Sequence, residues 1–88
     1  MRTLRKRLQD VIVRDVDREV LLLDLESNQI HQLNQTASFI WRSCDEAPST
    51  EEIAKLLVQE FDVEEHVALR DVIETLGRLR ALNLILEA

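Results

Sequence analysis

Very little in this chain can bend, crosslink or stack: it has one glycine, one proline, one cysteine, one tryptophan and no tyrosine among 88 residues. The lone glycine, Gly77, rules out the glycine-rich loops that cradle phosphates. A single cysteine cannot close an internal disulfide. Cys44 with His31 and His66 also falls short of a zinc-ligand pattern, so no structural metal is expected. No apolar run approaches the length of a membrane span. Arg2, Arg5, Lys6 and Arg7 are followed by Leu8-Gln9-Asp10 rather than an apolar core, so the start is not a secretory signal and a cytoplasmic location is expected. Acyl or phosphoryl transfer needs a nucleophile beside a base, a metal or a phosphate cradle, and none stands here at a telling spacing. The chain is therefore expected to be no enzyme, with no catalytic residue and no cofactor.

What is present is apolar and acidic. Hydrophobic residues make up 45% and charged residues 32%, a composition that favours packed regular structure over disorder. Net charge is −6. Residues 1–8 hold four of the 11 basic groups, which leaves seven against 17 acidic ones in residues 9–88. Such a globule repels phosphate backbones, so nucleic acid is not an expected partner. The division expected is a basic, solvated N-terminal tail over 1–8 and one domain over 9–88.

The first half reads as strands. Val11, Ile12 and Val13 start one, residues 15–18 form a polar turn, and Val20-Leu21-Leu22-Leu23-Asp24-Leu25 is too short an apolar run for a helix. Glu26-Ser27-Asn28-Gln29 supplies the next turn, since Asn tolerates left-handed backbone, and Ile30-His31-Gln32-Leu33 returns as a third strand.

The second half reads as three helices. Asn34 suits an N-cap, with Ala37, Ile40, Trp41 and Cys44 on one face. Pro48-Ser49 opens a second helix in which Ser49 and Glu52 fit a capping box and Ile53, Leu56, Leu57 and Phe61 form the buried stripe. Asp62 and Glu65 fit another boxed start, leading to Leu69, Val72, Ile73, Leu76 and Leu79. Asn83 suits a left-handed C-cap before Leu84-Ile85-Leu86, which should dock on the core. The fold class expected is α+β: a three-stranded antiparallel sheet followed by three helices, winged helix-turn-helix-like.

The third strand has neither lysine nor proline to protect an exposed edge, which leaves backbone groups open to another chain, including a second copy of this one in a homodimer. His31 shares a face with Leu33, either as a satisfied histidine or as a contact to a bound chain. Asp71, Glu74 and Arg78 form one flank of the last helix, which could select charges on such a chain. Trp41 and Cys44 read as core, His66 as solvated, and Gly77 as either a close-approach point or a tolerated helix glycine.

The run Val20 to Ser27, then Ile30-His31-Gln32-Leu33-Asn34, Ala37 and Ile40-Trp41, resembles the PqqD family. The likeness continues through Ser49-Thr50-Glu51-Glu52-Ile53, Phe61-Asp62-Val63, Asp71-Val72, Leu79, Leu82 and Leu84-Ile85, covering about residues 11–86. Family members often carry aromatic residues where this chain has Ile30 and His31, and glycine near Asn83. The resemblance implies a recognition element for ribosomally made, modified peptides. The leader of a precursor peptide would add as a strand along Gln29, Ile30, His31, Gln32 and Leu33 and lay its apolar anchors against the last helix, beside Val67, Asp71, Glu74 and Arg78. The chemistry would belong to a separate tailoring enzyme, such as a radical SAM protein or a leader peptidase, in a quinone-cofactor, lasso-peptide or related pathway. The competing reading is a winged-helix DNA-binding regulator, which the acidic composition disfavours.

Overall fold

Every left-handed backbone position among the described residues is an aspartate or asparagine, and each stands at a junction between elements: Asp10, Asp17, Asn28, Asp62 and Asn83, with φ between 52° and 58°. Their short polar side chains lessen the steric cost of that conformation, which is how a chain with one glycine turns so often. The computed structural model describes residues 4–45 and 49–87. The junctions separate β1 (Leu4–Lys6), β2 (Val11–Val16), β3 (Glu19–Asp24), β4 (Gln29–Leu33), α1 (Gln35–Ser43), α2 (Thr50–Phe61), α3 (Glu65–Ala81) and β5 (Ile85–Glu87). The expected α+β order of three antiparallel strands, β2-β3-β4, and three helices is the one observed.

The core forms where the sheet's inner face meets the helices. Val20 and Leu22 of β3 and Leu33 of β4 pack with Ile40 and Trp41 of α1, Ile53 and Leu57 of α2, and Val72, Leu76 and Leu79 of α3. Complete burial of one such side chain stabilises by about 1.5–3 kcal/mol. Leu84 and Ile85 are fully buried too, so the C-terminal segment docks as expected. Asn34 caps α1 by accepting from the Ala37 N–H at 2.8 Å, and Ser49 caps α2 by accepting from Glu52 at 3.2 Å. Pro48 lies outside the described residues.

Three expectations need correction. Leu4–Lys6 is not a solvated tail: it is β1, antiparallel to β5 in a separate two-stranded ribbon. Within it the Lys6 ammonium lies 4.6 Å from the centre of the Trp41 ring and 2.7 Å from Asp45, so its charge is paired with the carboxylate and also sits over the indole. Residues 1–3 lie outside the description. Asp62 does not open α3; it ends α2 as a left-handed C-cap, and α3 begins after Glu64 without a side-chain cap. Ile73 is 56% exposed, because the buried stripe of α3 runs through Ala68, Val72, Thr75, Leu76 and Leu79.

Candidate functional site

One hydrogen bond fixes which way the backbone groups of the three-stranded sheet point. The Leu25 N–H donates to the Asp10 carbonyl at 2.8 Å, so in β3 the odd-numbered residues direct their backbone groups at β2 and the even-numbered ones at β4. Val20 obeys this parity through a bridge. Its N–H donates to Ser38 Oγ at 2.8 Å, and that hydroxyl donates to the Leu33 carbonyl at 3.0 Å, so a side chain from α1 stands in for the last rung between β3 and β4. Since Leu22 pairs with His31 and Asp24 with Gln29, the backbone groups of Ile30 and Gln32 point away from β3, towards the open side of β4.

The side chains alternate in the opposite sense. Gln29, His31 and Leu33 share the inner face with Asp24, Leu22 and Val20, while Ile30 and Gln32 share the outer face with Leu23 and Leu21. Two depressions lie on the inner-face side of this edge, each with residues of α3 in its lining. One, of about 400 Å³, has Gln29 and His31 on one side and Ala81, Leu82 and Leu86 on the other. The second, of about 240 Å³, lies between the start of α1, at Asn34 and Thr36, and the α3 residues Asp71, Glu74 and Arg78. His31 Nε2 is buried and finds no hydrogen-bond partner, a state that costs about 1–3 kcal/mol.

The floor of the larger depression is built by Arg7. Its guanidinium donates to Asp24 at 2.8 Å, to Glu26 at 2.9 Å and to the Asn83 carbonyl at 2.7 Å, joining the end of β1 to the β3–β4 turn and the α3–β5 turn. Asp24 also accepts from the Glu26 and Ser27 N–H groups. The Arg7 guanidinium holds the Asp24 carboxyl below the ordinary range, with the turn N–H groups helping and burial opposing. Cys44 lies elsewhere: burial pushes its thiol up to about 11, and it donates to the Ile40 carbonyl at 3.3 Å, so it is a protonated core group.

Of the residues selected from sequence, Gln29, His31, Asp71, Glu74 and Arg78 line the two depressions. Ile30 and Gln32 lie on the outer face, Leu33 is in the core, and Val67, half-buried in the first turn of α3, lines neither depression. Sequence reasoning missed Arg7, Asp24 and the Leu82–Leu86 end of the groove. A buried aspartate closing a hydrophobic strand was the available sign that a cation stood near it. No group of His, Cys, Asp and Glu that could hold a metal occurs among the described residues, and no described helix is long and apolar enough to cross a membrane. The exposed side of α3 interleaves acids and bases rather than presenting a basic recognition face, and nothing supports the DNA-binding alternative.

Comparison with known proteins agrees with this geometry. A search of curated proteins finds no match. Two solved structures resemble the chain over nearly its whole length. "Lasso peptide synthetase B1 complexed with the leader peptide" has a TM-score of 0.83 at 30% identity, covering 96% of this chain and 98% of that one. "TbiB1 in Complex with the TbiA(beta) Leader Peptide" has a TM-score of 0.80 at 28% identity, covering 92% and 94%. The family model described as "Coenzyme PQQ synthesis protein D (PqqD)" matches residues 19–85, which include β3, β4 and all three helices, and the chain belongs to the PqqD family.

Proposed function

We propose that this chain is a non-catalytic recognition module that binds the leader region of a ribosomally made precursor peptide by strand addition to β4 and presents it to a separate tailoring enzyme, such as a radical SAM protein or a leader peptidase, in the cytoplasm. The observation that carries this reading is the open edge of β4, with the backbone groups of Ile30 and Gln32 directed outwards beside a depression that Gln29 and His31 line together with the end of α3 and with β5. Both similar structures are complexes with leader peptides. Main-chain bonds to the edge supply affinity, and side chains in the groove supply selectivity. In this role Gln29, Ile30, His31, Gln32 and Leu33 form the pairing strand. Asp71, Glu74 and Arg78 present mixed charge to the peptide, and Val67 is the weakest member of the set because it lines neither depression.

Calorimetric titration with the synthetic leader of the precursor encoded beside this gene tests the reading. Saturable one-to-one binding, with a dissociation constant near or below about 1 μM and persisting at high salt, is expected. Failure to bind the leader, or equal binding to a scrambled peptide, contradicts it.

A further inference from the structure

We propose that the side chain of Ile30 is a specificity position that takes an apolar residue of the bound peptide on the outer face of the sheet, away from the groove; this rests on the strand-addition reading above. Ile12, Leu23 and Ile30 are in register across β2, β3 and β4, so three apolar side chains form one row on that face. Ile12 and Leu23 are partly buried, whereas Ile30, at the open end of the row, is 69% exposed, the highest value for a large apolar residue among those described. A strand added to β4 continues the pleat, so whichever of its residues pairs with Ile30 also points outwards and lies about 4.5–5.5 Å from it between Cβ atoms, in either strand direction. The row then gains a fourth member.

The neighbouring row makes the requirement local. Arg14, Leu21 and Gln32 are in register there, and Gln32 donates to Glu19 at 2.8 Å, so that row ends in a polar group already satisfied. The peptide pattern expected is an apolar residue facing Ile30 and, two positions away on the same face, a residue that can be polar. The residue between them points to the inner face over His31.

The test titrates wild type, Ile30→Thr and Ile30→Val with the synthetic leader and with versions in which each apolar leader residue is changed in turn to Thr. Ile30→Thr keeps a β-branched residue at an exposed site, so the melting temperature of the free protein stays the same. Its affinity for the unaltered leader falls about three- to fivefold, while Ile30→Val stays within about twofold of wild type. One substituted leader loses a similar factor against wild type and no longer distinguishes wild type from Ile30→Thr. Equal binding by wild type and Ile30→Thr overturns the inference, as does a loss that is the same for every peptide, and in both cases strand addition stands. Wild type that binds no leader overturns strand addition and this inference together.

Discussion

The two sheets of the molecule treat their strands in opposite ways. The β1–β5 ribbon joins the N- and C-terminal segments and is tied at its exit by Arg7, whose guanidinium reaches Asp24, Glu26 and the Asn83 carbonyl. The β4 edge, in the middle of the chain, has no strand on its far side among the described residues and carries an exposed isoleucine. The difference shows where order comes from in so small a domain. Charged residues fix the ribbon that braces the groove floor, while the edge beside that groove is held from behind, by β3 and by the Ser38 bridge, and is left open in front.

The largest effect that would break this comparison comes from Ile30→Pro combined with Gln32→Pro. Both N–H groups point to the open side, so neither change removes a bond to β3 and the fold survives. Leader affinity should fall by on the order of 100-fold, measured by calorimetry, because each proline removes a donor to the added strand. Unchanged affinity in the folded variant would show that β4 is not the pairing edge.

At the tied end, Arg7→Met should lower the melting temperature by several degrees at neutral pH. Because Arg7 holds the folded-state pKa of Asp24 below its unfolded value of about 3.9, the stabilisation is complete above that value and is lost as pH falls through the depressed folded value. The gap between wild type and variant should therefore narrow below about pH 4 in a series of thermal melts. A gap that stays constant into strong acid would place the effect in packing rather than in the ion pair.

Ser38→Ala sharpens the account of how β4 is held. Losing the hydroxyl leaves the buried Val20 N–H without its partner, and chemical denaturation should show a loss of about 1–3 kcal/mol. The smallest effect has the opposite sign. A Cβ built on Gly77 meets nothing within 4 Å, so the glycine is not a close-approach point, and Gly77→Ala should stabilise the helix by about 1 kcal/mol.

How much was legible in the sequence follows from the range of each signal. Strand alternation, the Asn34 and Ser49 caps and the apolar faces of α1 and α2 are local patterns, and all were readable. The open β4 edge was readable as well, because it rests on what the four residues from Ile30 to Leu33 lack. The ribbon was not: β1 and β5 are three residues each and about 80 positions apart, and an arginine-rich start looks the same whether it is solvated or clamped. Asp62 was misplaced because aspartate suits both an N-cap and a left-handed C-cap. The Arg7–Asp24 floor of the groove escaped for the same reason as the ribbon, since a contact across 17 residues leaves no periodicity. His31 was readable as sharing a face with Leu33, but its unsatisfied nitrogen depends on tertiary packing alone.

The most direct test of the central claim is residue-resolved amide hydrogen exchange on the free protein and on the protein saturated with leader peptide. The account predicts that the Ile30 and Gln32 amides, which face the open side of β4, exchange rapidly in the free protein and become protected in the complex, while His31, already bonded to β3, changes little. Ile30 and Gln32 amides that stay unprotected at saturation would contradict strand addition, whatever the affinity.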